Sequence, residues 1–518
     1  MPHRRLGLAL ALLSSTLVAM PTSASAAAGD TEITVVTCAP YETVTLGNAG
    51  VCGADVLDAL FTGLTEYDPV TGRSSYAVAK SITTRDNRRF TVTLRKGWTF
   101  HDGTPVKARN FVEAWNQTAF SKGTSSFLFE DIKGYGTRRM SGLKVIDDHT
   151  FTIELNRPFG PFVKKLGQVA FSPLPDSILA KPSSFAAIPV GDGPFQLTSG
   201  KPGSDAVVER YDGYAGTVRT NVSKITYQVF SDWDASYRAL ISGDVDFVGL
   251  IPYSKLTRYK KDLHGRVIDR AGNTLQTVDF PISLATDADF RKAISMAIDR
   301  ETITKRVFAG LRVPAHSFVS PVAEGARRNA CGQVCAYNPS LARRYLAKAM
   351  SKGFRPPAAL PLYYNADSAH GEWVDALAAS VNKTFNGKVK IVPTGIKTYD
   401  EFMKAQSAGT LHGMFRAGWV LDFPHIQNAL GPLYASDGYA NYSVYQNKKF
   451  DGLLNAADRQ ISPAKAIKLY QRAESLLVKD MPAIPLWFYR DLSGYSAKIT
   501  TAKLTPFGWL DPNSVTVS

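Results

Sequence analysis

The sequence predicts an α/β protein of about three domains. Three observations predict it. Short strand-like runs alternate with amphipathic helical runs through both large parts of the chain, which is the pattern of helices packed on sheets. The length of 518 residues is about three times that of an ordinary domain. The composition is 44% hydrophobic and 11% aromatic with only 20% charged residues, enough to fill several cores and too little charge for a disordered chain.

The elements follow in order. Residues 31–37 are rich in β-branched side chains and predict a first strand. Residues 53–64 predict a helix with Val56, Leu57, Leu60, Phe61 and Leu64 on one face. Residues 67–72 form a turn. Residues 90–94 and 151–155 alternate strictly and predict two half-buried strands. Between them, the turn at His101-Asp102-Gly103-Thr104-Pro105 precedes a helix from about Lys107 to Thr118 with Phe111, Ala114 and Trp115 inward. This reads as a compact α/β insert with its own small core. After residues 191–194 strands resume at 195–197 and 225–230, then a helix at 233–242 and a strand at 245–250. Residues 287–309 predict one long amphipathic helix carrying Phe290, Ile294, Ala297 and Ile298. Helices near 339–351, 369–385, 398–408 and 464–479 alternate with strands near 360–364, 388–393, 411–416 and 482–489. With no internal repeat or flexible linker, domain boundaries belong at crossings between strands, near Ser75, Gly191, Ser283 and Phe488. The last two form a paired hinge, because a lobe inserted into another must leave and return.

The first 26 residues carry a basic start at His3-Arg4-Arg5, an apolar run from Leu6 to Met20 and an Ala24-Ser25-Ala26 cleavage site, the plan of a secretory signal. No later run reaches the ~18 apolar residues of a membrane span. The first cysteine, Cys38, stands well past the cleavage site and outside a lipidation context. Four cysteines in an exported chain suggest two disulfides. Proximity pairs Cys331 with Cys335 and Cys38 with Cys52, although three pairings exist for four thiols. Zinc-knuckle spacing is absent, and no metal or other cofactor is expected. The net charge is +15, or +13 once Arg4 and Arg5 are removed. It suits attraction to anionic envelope polymers. The basic residues are spread, with Lys255, Arg258, Lys260 and Lys261 the densest group. No aromatic-interleaved basic stripe points to nucleic acid.

The most informative stretch is Arg416-Ala417-Gly418-Trp419-Val420-Leu421-Asp422. It sets a cation, a glycine-permitted backbone approach, an indole and a carboxylate within seven residues. A zwitterionic peptide needs all four. Structural uses compete: Asp422 can cap a turn before Pro424, Arg416 can pair with Asp422, Trp419 can be core. His101 and Asp102 sit in a turn and read as structural. No Gly-x-Ser-x-Gly elbow, His-Glu-x-x-His helix, phosphate loop or dinucleotide fingerprint occurs, so no enzyme class is proposed by the residues.

Several blocks then carry a resemblance. They are Leu60-Phe-Thr-Gly-Leu64, residues 90–105 (Phe-Thr-Val-Thr-Leu-Arg-Lys-Gly-Trp-Thr-Phe-His-Asp-Gly-Thr-Pro), Gly191-Asp-Gly-Pro-Phe195, residues 237–247, residues 290–300 and Met481-Pro-Ala-Ile-Pro-Leu486. In this order the chain resembles the oligopeptide/dipeptide class of extracellular solute-binding proteins that serve ABC importers. The resemblance implies a two-lobed periplasmic-binding-protein-like fold with an extra α/β subdomain inserted in the first lobe. It divides the chain into a signal peptide (1–28), lobe I (29–75), the insert (76–192), lobe I again (193–283), lobe III (284–487) and a return to lobe I (488–518). It implies capture of short peptides, delivery to ABC permease subunits and a monomeric, secreted protein. A sensor or signal-peptide receptor on the same fold, or a carrier of another solute, are the alternatives. Residue by residue, Asp422 resembles the aspartate that meets the ligand ammonium, with Trp419 and Gly418 lining the cleft. Arg416 resembles a position for the carboxylate of a short peptide, and His370 one for that of a longer peptide. Tyr399 resembles an aromatic wall. Val51, Cys52 and Gly53 resemble the lobe I segment whose backbone pairs with the peptide, and Phe127 or Phe129 an aromatic over the ligand. The chain departs from the pattern at Phe423-Pro424-His425, where many relatives carry a further acidic residue, and at Cys52, inside the presumed ligand strand.

Overall fold

The computed structural model describes residues 31–37, 46–47, 51–185, 189–200, 203–281 and 286–518, with Val51 and Cys52 placed by backbone alone. The expected signal peptide, Cys38 and the Ser283 boundary lie outside the described residues.

A mixed sheet of eleven strands runs through both lobes. Its path begins in lobe III with Ile391–Ile396, Leu360–Asn365 and Met414–Val420. It passes through two long antiparallel strands, Val267–Asp279 and Ala483–Tyr495. It continues into lobe I through Phe247–Val248, Glu32–Thr37, Lys224–Val229, Ala206–Arg210 and Phe195–Gly200. Arg312–Pro314 pairs off this path with Ala483–Tyr495. The insert carries its own antiparallel sheet, Ala79–Thr84, Arg89–Leu94, Thr150–Glu154 and Leu143–Asp147 in spatial order. The helix Ala108–Phe120 packs on it.

The two long strands are the physical link between the lobes. Their Val267 and Leu492 ends pack with Val36, Tyr237 and Val248 of lobe I. Their Val278 and Ile484 ends belong to the core of lobe III. The register shifts between Ala271 and Leu275, so the ladder is interrupted where it crosses, and an irregular ladder bends more readily than a regular one. Gly272 sits in this interruption, where an added Cβ would lie 2.3 Å from Asp491 Oδ1. Asp491 is held there by Arg270, 3.1 Å away.

Three expectations need correction. The insert does not own a separate core: Phe90, Trp115 and Phe151 join Ile33, Leu57 and Ile225 in one continuous apolar cluster. Insert and lobe I are therefore one packed body. The long helix expected over 287–309 is two, Ala288–Met296 and Arg300–Arg306, because Asp299 turns its side chain to the amide of Thr302 and starts a new helix. Val51, Cys52 and Gly53 open the helix Val51–Leu60 rather than forming an extended segment. A helical backbone cannot pair along a peptide as a strand does, although the first amides of a helix stay free.

Candidate functional site

Met414–Val420 is the centre of the candidate site. Along one edge it pairs with Val267–Asp279, from Thr274 opposite Val420 to Asp279 opposite Phe415. On its other edge Leu360–Asn365 meets only Met414 and Phe415. Among the described residues, Arg416–Val420 therefore presents one edge that faces no partner strand. Alternation puts Arg416, Gly418 and Val420 on one face and Ala417 and Trp419 on the other. Gly418 and Val420 are exposed.

Asp422 follows the strand and is fixed by Asn428, which the sequence reading missed. The Asn428 side chain donates to Asp422 Oδ2 at 2.9 Å. Its Oδ1 accepts from the Asp422 amide at 2.8 Å and from Trp419 Nε1 at 3.1 Å. One buried amide thus locks the indole and the carboxylate together. The Asp422 carbonyl accepts from Gln168 of the insert. Burial raises the Asp422 pKa, against the Asn428 hydrogen bond and the charge of Lys165. The cavity in front of Asp422 has a volume of about 140 Å³ and is lined from both bodies, by Phe127, Glu130 and Lys165 of the insert and by Asp422, Asn428 and Tyr439 of lobe III. Lys165 is already committed to Asp131 at 2.7 Å. Tyr439 lies 6.0 Å from Trp419 and extends the aromatic wall.

Arg416 does not pair with Asp422. Its Nε donates to Asn365 Oδ1 at 2.8 Å, and its guanidinium lies 5.4 Å from the Tyr399 ring and 5.0 Å from Phe402. No carboxylate among the described residues reaches ion-pair distance of it. Tyr399 is exposed. His370 precedes the helix Gly371–Phe385, and its Nδ1 accepts from Trp373 Nε1 at 3.0 Å. That bond leaves Nε2 as the N–H free to donate. Burial first, then the charges of Arg416 and Arg312, lower the His370 pKa to about 4, although Asp367 opposes them. The ring is therefore neutral near pH 7. Arg312 also belongs to this end of the site. It lies 3.6 Å over the Tyr489 ring, and its Nε is buried without a hydrogen-bond partner. Only the pairing of Arg312 with Tyr489 across the sheet brings it there, and no local sequence signal marked it.

The two candidate aromatics of the insert separate cleanly. Phe127 is 37% exposed and lines the cavity. Phe129 is fully buried against Trp115 and Phe171, so it cannot overlie a ligand. Cys331 and Cys335 are bonded. The Cys38–Cys52 pairing falls outside the described residues. His101 is structural: Nδ1 accepts from the Gly191 amide and Nε2 faces the Gly193 carbonyl, each at 3.2 Å. Among the described residues no group of three His, Cys, Asp or Glu side chains is placed to hold a metal ion, and no helix is long and apolar enough to cross a membrane.

Residues 75–441 match the model of the bacterial extracellular solute-binding proteins, family 5. The chain is 26% identical over 468 residues to the oligopeptide-binding protein OppA of Bacillus subtilis, covering 86% of this chain and 85% of that one. Among solved structures, the unliganded open form of the murein tripeptide binding protein MppA superposes with a TM-score of 0.83 at 23% identity, over 94% of this chain and 96% of that one. Haemophilus influenzae OppA in complex with the peptide RPPGFSPFR gives a TM-score of 0.64 at 20% identity, over 94% and 99%. These similarities establish the two-lobed fold.

Proposed function

The chain belongs to the bacterial extracellular solute-binding proteins of family 5, and from that premise we propose that it captures short peptides with free amino termini between its lobes and delivers them to an ABC importer. The observation that carries this reading is the unpartnered edge of Arg416–Val420 ending at a buried, positioned Asp422. An extended peptide adds to such an edge as one more strand, so its amides are satisfied without reading its side chains. Its ammonium meets Asp422, with Trp419, Tyr439 and Phe127 as walls. Its carboxylate meets the cationic end formed by Arg416, with the neutral His370 donating through Nε2 and Arg312 nearby. Arg416 and Val420 are separated by about 13 Å of strand, which suits an extended ligand of three or four residues.

The named relatives support the ligand class, since OppA of Bacillus subtilis is an oligopeptide-binding protein and the Haemophilus influenzae OppA structure holds a peptide. The arrangement suits a carrier: it offers charge complementarity and an edge to pair with. Secretion after cleavage near residue 28, a monomeric state and hand-over to permease subunits belong to the same proposal. Native mass spectrometry of protein purified from its producing cell tests it. Copurifying masses should fragment as short peptides with free amino termini, and a uniform non-peptide ligand would replace this reading. The protein incubated with such a peptide should return it intact.

A further inference from the structure

Outside the crossing strands, the insert touches lobe III where Gln168 donates to the Asp422 carbonyl, where Lys164 pairs with Glu324 at 2.7 Å, and in its densest set of contacts at a helix end. The helix Lys448–Asp458 ends there. Carbonyls at the end of a helix have no partner within it. Here the Asp458 carbonyl accepts from Asn87 Nδ2 and from the Gly160 amide, at 2.9 and 2.8 Å, and Asn87 Nδ2 also reaches the Gln460 carbonyl at 3.1 Å. The donors all come from the insert. The Asp458 side chain, 4% exposed, takes Arg157 of the insert at 3.2 Å and the hydroxyl of Tyr470 of lobe III at 2.5 Å. The fit is close. Asn87 is buried in the left-handed region at φ 53, and a Cβ on Gly160 would fall 2.7 Å from Asn87 Nδ2.

This contact is made while the cleft stands open to solvent, with Tyr399 48% and Tyr439 59% exposed. Opening separates two bodies in proportion to distance from the axis of rotation. Surfaces that stay hydrogen-bonded in the open arrangement therefore lie near that axis. The interrupted ladder at Ala271–Leu275 supplies one point on it, and the Asp458 contact lies apart from that ladder, beside the ligand cavity that Arg157 and Asp458 also line.

We propose that Asn87, Arg157 and Gly160 of the insert and Asp458 of lobe III form a second, non-covalent pivot, which with the two crossing strands fixes the axis about which the lobes close. They are positioning residues: the pivot confines the empty protein to a swing that brings Phe127 and Asp422 onto the same ligand. The inference rests on the reading that the cleft closes on a ligand, and its first measurement does not need the ligand to be a peptide.

The experiment compares wild type, the double variant Asn87→Ala/Arg157→Ala and the conservative Arg157→Lys, each first shown folded by circular dichroism. Small-angle scattering of the ligand-free proteins should show a larger radius of gyration and a broader pair-distance distribution for the double variant, with Arg157→Lys close to wild type. Calorimetry with trialanine as probe should show binding weakened roughly three- to tenfold, as the fraction of the empty ensemble that can close correctly falls. The scattering of the trialanine complexes should coincide. Unchanged ligand-free scattering would overturn the pivot, whether or not trialanine binds. Tighter binding by the double variant would also overturn it, because the contact would then be a latch broken on closure. Failure of wild type to bind trialanine counts against the peptide reading and leaves the scattering result to decide the pivot. Should the double variant not fold, Gly160→Ala, which intrudes on the same contact, takes its place under the same criteria.

Discussion

Replacing Asp422 by Asn removes one charge and little else. The amide keeps the size of the carboxylate, and Asn428 still packs against it. In the unliganded protein burial already disfavours the ionised side chain, so part of the desolvation cost is present before a ligand arrives. A ligand ammonium then gains a partner in a cavity that closure removes from water. Truncating one member of such a buried charged pair costs about 2–5 kcal/mol. At about 1.4 kcal/mol per tenfold this is a loss of roughly thirtyfold to a few thousandfold in affinity. Calorimetry with trialanine and N-acetyl-trialanine on both proteins forms a double cycle. The wild type should lose most of its affinity on acetylation, whereas Asp422→Asn should bind both peptides about equally weakly. Thermal unfolding of the ligand-free variant should be unchanged or slightly raised. Equal affinity of wild type for the two peptides, or full coupling retained in the variant, would refute the assignment of the ammonium to Asp422.

Asn428→Ala leaves the Trp419 indole N–H and the Asp422 amide without their acceptor, so it should cost about 1–3 kcal/mol of stability and also weaken peptide binding, read by chemical denaturation and calorimetry. Because the Asp422 pKa is raised, its carboxylate protonates at a higher pH than a free aspartate. Ammonium binding should weaken as pH falls through that raised value, a slope absent in Asp422→Asn. The His425 pKa is lowered from 6.5 to about 3, by burial first and the Lys164 charge second. The unfolded chain takes up that proton and the folded one does not. His425 therefore contributes stability that is complete above about pH 6.5 and is lost as pH falls toward 3, and denaturation midpoints of His425→Gln should fall less over that window. Removing the Cys331–Cys335 bond by double serine substitution should cost about 2 kcal/mol for so short a loop, measured as a lower denaturation midpoint with peptide affinity unchanged.

Local sequence pattern was enough for the α/β class, the existence of most elements and the choice of Arg416–Asp422 as the candidate stretch. Strict alternation in residues 90–94 and helical spacing in residues 339–351 are local signals, and the structure has Arg89–Leu94 as a strand and Pro339–Ser351 as a helix. The cluster from Arg416 to Asp422 was visible because its chemistry is contiguous. Tertiary structure decided the rest. Val267–Asp279 was not read as a strand, since its polar residues and its interruption at Gly272 hide the period, and its pairing partner lies some two hundred residues away. Phe127 and Phe129 are equivalent in a short apolar run, and only the packing of Trp115 and Phe171 buries one and leaves the other facing the cavity. Asn428 and Arg312 carry no local mark, and the donors that cap Asp458 come from Asn87 and Gly160, far earlier in the chain. Periodicity reports which side of an element is apolar. It does not report which distant element covers that side, nor which strand edge is left uncovered, because both depend on how strands far apart in sequence are brought into one sheet.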